Sequence, residues 1–367
     1  MDFIDLKTQQ NRIRDGLKIR FDRILEHGAY IMGPEVTELE EKLADYCGVK
    51  HAISCSSGTD ALLIPLMAWE IGPGDAVFTT PFTYVATAEV ISLLGATPIF
   101  VDVYESTFNI DCEKLELAIQ NTISEGKLTP KAIIPVDLFG LPARYRLIEE
   151  IAKKYDLKII EDAAQSFGAK IRDRKVGNFG DVAATSFYPA KPLGCYGDGG
   201  AIFTNDDNLA EKCKAIRIHG TTTDKYNSEL IGLNGRLDSI QAAVLLEKLT
   251  IFDEELDLRQ KISDKYRANL ENCQYIPNNY TSSHALFSIL LQSNQEREEI
   301  INKLAKNNIP NVIYYKMPLH LMEAFSSLGY KEGNFLVSEE LSERILSLPM
   351  HPYLSDDDVG LIIDQIQ

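Results

Sequence analysis

Long apolar runs are missing from this sequence. No stretch approaches the roughly 18 residues that would mark a membrane span. The opening "MDFIDLKTQQNRIRDG" is mixed and polar, unlike a secretory leader, so a cytoplasmic location is expected. Positive charge is also short: 37 Lys and Arg face 54 Asp and Glu, a formal net charge of −17. That balance argues against nucleic acid or an anionic membrane as partner, although the local field of a cleft can still favour a small anion. The six cysteines, at positions 47, 55, 112, 195, 213 and 273, contain no CxxC pair, so free thiols in a reducing compartment are expected. The six histidines show no HExxH or comparable spacing, and no metal is expected. Internal repeats and low-complexity linkers are lacking too.

What remains is an ordinary globular composition, 45% hydrophobic and 25% charged, with a length of 367 residues that suits one large domain and one smaller one. Through the first three quarters, short apolar runs alternate with helical stretches. "HAISCSS", "DAVFTT", "TPIFVDV", "KAIIPVDLF", "LKIIEDAA", "VAATSFY" and "GAIFTN" read as seven strands, with helices near 60–70, 84–94, 111–120 and 144–155. Buried parallel strands give nearly continuous apolar runs, so this pattern predicts an α/β fold with a mostly parallel seven-stranded sheet. Pro65 falls inside the first of these helices, where it removes a backbone bond and favours a kink.

After about residue 245 the texture changes. "IFDEELDLRQKISDKYRANLEN" reads as a long charged helix, "HALFSILLQ" as a strand, "QEREEIINKLAKNN" as a helix and "NVIYY" as a strand, with a closing helix after "LSDDD". The expectation is a large domain over residues 1–245 and a smaller α+β domain over 246–367, packed closely together.

In open α/β sheets ligands gather at the carboxyl ends of the strands, and four polar features fall there. "SCSSGTDALL" leads from a strand into a helix, so free N–H groups and hydroxyls at Gly58 and Thr59 can cradle a phosphate; a simple cap by Thr59 or Asp60 is the plainer alternative. "TPFTYVAT" supplies Phe82 and Tyr84, which could stack on a flat ring, though core packing is the commoner fate. "IIEDAAQS" puts Asp162 at a buried strand end, where a carboxylate needs a cation or donors, with Gln165 close behind. In "SFYPAKPLGCYGDGGAIF", Ser186 ends a strand and Lys191 sits before Pro192 and a run of glycines. Pro192 keeps Lys191 out of helical geometry, and the segment reads as a holder for an amine. A cradle, a ring, a carboxylate and an amine together are the parts that hold pyridoxal phosphate.

The motifs "SSGTDAL", "PFTYVATAE", "IIEDAAQSFGA", "GNFGDVAATSFYPAKPLGCYGDGGAIFTND" and "NGRLDSIQAA" occur in the order found in the DegT/DnrJ/EryC1/StrS sugar-nucleotide aminotransferases, and the chain resembles that family from "FIDLKTQQ" to "LSLPMHPYL". The resemblance implies the pyridoxal-phosphate transferase fold of type I. It implies that Lys191 bonds the cofactor covalently, that Asp162 pairs with its ring nitrogen, and that Gln165 approaches its phenolic oxygen. Tyr84 would stack on the ring, and Gly58, Thr59 and Ser186 would hold the phosphate. Asn234 would reach the phosphate of a neighbouring subunit, implying a homodimer with shared sites. Arg236, His219, Tyr315 and His320 would lie near substrate. Relatives with histidine in place of the lysine are dehydratases, so the lysine here points to transamination.

The central motif is most similar to that of enzymes that aminate C3 of UDP-2-acetamido-2-deoxy-3-keto-glucuronic acid for bacterial surface polysaccharide, with L-glutamate as donor. "NVIYYKMPLHLM" departs from those relatives: Tyr314 stands in place of histidine and Lys316 in place of proline. A 4-keto-6-deoxy sugar nucleotide is the alternative substrate. Decarboxylation or aldol chemistry on the same cofactor, or an idle cofactor-binding sensor, are the competing classes.

Overall fold

Seven short apolar runs become the strands of one sheet in the computed structural model, which describes residues 1–222 and 226–367. In chain order the first five are β1 (His51–Cys55), β2 (Asp75–Thr79), β3 (Thr97–Phe100), β4 (Thr129–Ile134) and β5 (Lys158–Asp162). A small ribbon, β6 (Lys170–Ile171) and β7 (Arg174–Lys175), precedes β8 (Val182–Ser186) and β9 (Gly200–Thr204). The order across the main sheet is β1-β9-β8-β5-β4-β2-β3. Only β9 runs against its neighbours. A parallel return would need a long crossover, usually a helix. Residues 187–199 instead form the loop that carries Lys191, and the chain comes straight back. The carboxyl ends of β1, β2, β4, β5 and β8 therefore share one edge of the sheet.

Helices cover both faces. On one face Leu62, Ile64 and Leu66 of the helix Gly58–Ala68 pack on Ile160, Val182 and Ile202 of the sheet, all almost fully buried. Each such side chain contributes about 1.5–3 kcal/mol. That helix runs unbroken through Pro65, and the Pro65 carbonyl still accepts from Trp69 N at 3.0 Å. On the other face Ile13, Leu17, Val36, Leu39 and Leu43 from the first two helices meet Ala183, Phe203 and the helix Ser239–Leu249. All six cysteines are unpaired.

The C-terminal part has its own core. Ile262 and Tyr266 of the helix Phe252–Asn269 pack on a two-stranded sheet that follows β10 (Tyr280–Thr281): β11 (Phe287–Leu290) pairs antiparallel with β12 (Ile345–Leu348). Ile362 of the closing helix Asp356–Ile366 completes it. "NVIYY" does not form the expected strand. Only Val312 makes a bridge, to Ser347, and beyond it the chain leaves the small sheet to carry Tyr315 toward β5. Several bonds fasten this part to the main sheet: Leu319 N donates to Pro81 O at 2.8 Å, and Gln274 Nε2 donates to Thr107 O and Leu138 O at 2.8 and 3.0 Å.

Candidate active site

The shared carboxyl edge gathers most of the residues singled out in the sequence. Asp162 closes β5, almost fully buried. Its Oδ2 accepts from the Thr87 hydroxyl at 2.8 Å and its Oδ1 from Ala164 N at 3.2 Å. Burial pushes this carboxyl above its usual range, while those donors and the Lys191 charge pull the other way. Lys191 is half-buried in the 187–199 loop, anchored by its own amide to Tyr188 O at 2.9 Å. Burial lowers its ammonium pKa and Asp162 opposes the shift. The two groups are thus electrostatic partners, each charge favouring the ionised form of the other.

Gly58 and Ser186 meet beside them. A Cβ on Gly58 would lie 2.6 Å from that of Ser186, so only glycine admits this approach. The helix is capped by Ser57, whose hydroxyl accepts from Asp60 N at 3.0 Å, and not by Thr59 or Asp60. Among the described residues the amides of Gly58 and Thr59 have no protein acceptor. Two free N–H groups at a helix start, with the Ser186 hydroxyl facing them, suit a phosphate.

Gln165 is buried and doubly fixed: its Oε1 accepts from Phe139 N at 2.6 Å and its Nε2 donates to the Tyr315 phenol at 3.0 Å. Tyr315 packs edge-on against Phe82, with ring centroids 6.0 Å apart, and Phe82 is itself a core residue, fully buried against Phe108 and Phe139. Burial raises the Tyr315 phenol and keeps it protonated. Tyr84 presents an exposed ring, 60% accessible, one helical turn before Thr87. Behind β5, Asp137 accepts from Ala143 N, Tyr145 and Ser166, each at 2.8 Å, and burial pushes its carboxyl up to about 7.

The remaining expectations fare differently. Asn234 and His219 lie on paired segments: His219 N donates to Leu233 O at 2.9 Å, and both side chains are exposed. The same turn reaches the cradle through Ser56 N, which donates to Gly235 O at 3.0 Å. Arg236 is half-buried, and its Nε lacks a partner. His320 is closed off from solvent. Its imidazole is buried, bonded to Glu339 at 2.9 Å and set edge-on against Phe335, so it is a packing residue where a substrate contact was expected. Thr87 was missed: it lies inside "PFTYVATAE", but no local signal tells a threonine that serves a distant carboxylate from one that merely packs.

A cradle, a buried acid, a partly buried amine and an exposed ring fit pyridoxal phosphate as one constellation. The model of the DegT/DnrJ/EryC1/StrS aminotransferase family matches residues 12–367. The chain belongs to that family. Its likeness to a UDP-2-acetamido-2-deoxy-3-oxo-D-glucuronate aminotransferase of Pseudomonas aeruginosa is 46% identity over 99% of this chain and 98% of the relative. A crystal structure of a DegT DnrJ EryC1 StrS aminotransferase from Brucella abortus is 51% identical, with a TM-score of 0.96 over 100% of this chain and 98% of that one. The PLP form of a putative sugar aminotransferase from Streptococcus pneumoniae is 28% identical, with a TM-score of 0.88 over 96% of this chain and 95% of that one. The mostly parallel seven-stranded sheet with helices on both faces is the type I pyridoxal-phosphate architecture of this aminotransferase family.

Proposed function

We propose that this aminotransferase takes the amino group of L-glutamate and delivers it to C3 of UDP-2-acetamido-2-deoxy-3-keto-glucuronic acid, with pyridoxal phosphate as cofactor. The single observation that carries the substrate is the end-to-end likeness to the Pseudomonas enzyme. Transfer to C4 of a 4-keto-6-deoxy sugar nucleotide, the alternative, has no observation of its own in its favour. A homodimer with shared sites, in the cytoplasm, completes the reading. The exposed side chain of Asn234 on a turn beside the cradle supports the first, and the second accords with the fact that no described helix is long and apolar enough to cross a membrane. The core that runs from Ile262 to Ile363 supports a smaller domain within 246–367 beside a large one over 1–245, and two further clusters join residues of both parts.

When bound, pyridoxal phosphate supplies a conjugated ring that draws off the electrons released at the donor's α-carbon. Gly58, Thr59 and Ser186 would hold its phosphate and Tyr84 would cover its ring. Asp162, whose carboxylate accepts from Thr87 and Ala164, would fix a proton on the ring nitrogen. Gln165, immobilised by Phe139 and Tyr315, would meet the phenolic oxygen. Lys191 would hold the aldehyde in the resting enzyme and afterwards act as a free amine. Its lowered pKa lets Nζ take the α-proton from glutamate and deliver one to C3 of the sugar, the carbon that receives the amine, a transfer worth typically about 10²–10⁴-fold. The test is incubation with L-glutamate and a panel of nucleotide keto sugars, followed by mass and NMR analysis. Amination at C3 of the uronate with stoichiometric 2-oxoglutarate is expected. Product from 4-keto-6-deoxy sugars alone would overturn the substrate assignment, and carbon loss from the amino acid would overturn transamination.

A further inference from the structure

We propose that Glu161 is held as an un-ionised acid that gives its proton to Asp137, and that this pair positions Asp162 and Gln165 for the cofactor. Both carboxyl groups are fully buried. Alternation along β5 puts Glu161 on the face opposite Asp162, where it is hydrogen-bonded to Asp137. Asp137 is committed as an acceptor: Ala143 N and the Tyr145 hydroxyl donate to its Oδ1, and the Ser166 hydroxyl to its Oδ2. Glu161 Oε2 accepts from the amides of Gly177 and Phe179, each at 3.0 Å, while its Oε1 is buried with no donor. Two carboxyls in contact cannot both ionise, and the oxygen that receives no donor is the one left to carry the proton. The other titratable groups in this field are Tyr145, Cys47 and Asp162, and none is a cation. Lys175 also acts on Cys47, but its ammonium is taken up by the Tyr46 ring, 3.5 Å from the centroid. Burial and repulsion by Asp137 accordingly push the Glu161 carboxyl well above its usual range.

The pair brackets the segment that faces the cofactor. Glu161 and Ser166 stand on either side of residues 162–165, and both are tied to the one Asp137 side chain. Asp137 N donates to Asp162 O at 3.1 Å, and Phe139, two residues on, donates to Gln165 Oε1. The Phe179 ring stacks on Tyr145 with centroids 4.5 Å apart, which closes a loop from Glu161 back to Asp137. A charge on Glu161 would drive the two carboxyls apart and loosen that bracket. It would also set a second anion next to Asp162, whose own ionisation burial already opposes. Glu161 is thus a positioning residue that never touches the cofactor.

The test uses the holoenzyme at neutral pH with two variants, Glu161→Gln and Glu161→Met. The infrared difference between wild type and Glu161→Gln should contain the carbonyl band of an un-ionised carboxylic acid. Glu161→Met removes the donor to Asp137. It should shift the visible absorption of the bound cofactor and slow the glutamate half-reaction about 10- to 100-fold, the scale of a small misplacement of the reacting groups, with little change in the glutamate concentration at half-saturation. Glutamine keeps a neutral donor toward Asp137 and an acceptor for the two amides, so Glu161→Gln should restore most of that loss. A difference spectrum without the acid band would overturn the proposal. So would Glu161→Gln failing as badly as Glu161→Met, or Glu161→Met keeping the wild-type spectrum and rate. Should Glu161→Met not fold, the infrared band and the glutamine variant still decide. Neither depends on which keto sugar is aminated, so a failure of the substrate assignment is read separately.

Discussion

The Thr87 hydroxyl donates to Asp162 Oδ2 at 2.8 Å, tying the first turn of the helix Ala86–Leu93 to the end of β5. Burial works against ionisation of Asp162, and this bond is one of two that resist it. Thr87→Val keeps the shape and removes the donor. Affinity for pyridoxal phosphate should fall about tenfold, the cost of leaving one buried charged acceptor unpaired. Titration of the apoprotein followed by visible absorbance measures it, and circular dichroism should be unchanged.

Asp162 itself links stability to function. Its folded pKa lies above the unfolded value, so the ionised side chain destabilises the apoprotein once the pH is above the ordinary carboxylate range. Asp162→Asn should therefore raise the melting temperature of the apoprotein at neutral pH. The same change should cut turnover by about a hundredfold or more, because the charge that steadies a ring proton is gone. Differential scanning calorimetry on the apoprotein and a coupled glutamate assay read the two effects, which must move in opposite directions.

Much of this was legible in the sequence because burial writes plainly. Most of the seven strands read as continuous apolar runs because they are covered on both faces, the edge strand β3 being half-covered on one, and Asp162 and Lys191 stand where such runs stop. What was illegible depends on partners distant in the chain. His320 looked like a site residue until Glu339 and Phe335 enclosed it. "NVIYY" has the composition of a strand, but Tyr315 is drawn away to Gln165 and only Val312 pairs. Lys191 gained its weight from the surrounding motifs, since one lysine in a loop carries no signal alone.

His320 offers a check on that correction. Replacing it with alanine removes a buried ring and one of three bonds to Glu339, the Gly333 and Phe335 amides keeping the other two, which should cost about 2–4 kcal/mol of stability. KM for the keto sugar should stay within about twofold of wild type, measured at a temperature where the variant is folded. A large rise in KM with unchanged stability would return His320 to the substrate.

The pH dependence of the glutamate half-reaction follows from Lys191. Its amine must be uncharged to take a proton, and its pKa is lowered by burial. The rate should fall as pH drops through that pKa, with the acid limb centred below the ordinary lysine range of about 10.4. Lys191→Ala should remove the limb along with nearly all turnover, a loss of at least about 10²–10⁴-fold. Stopped-flow absorbance across a pH series records both.

The most direct test is chemical. Reduction of the purified holoenzyme with borohydride, followed by proteolysis and peptide mass analysis, locates the residue bonded to the cofactor. The phosphopyridoxyl label should fall on the peptide that contains Lys191 and on no other. A label at any other lysine, or a holoenzyme that carries the cofactor without a reducible bond, would contradict the assignment of Lys191.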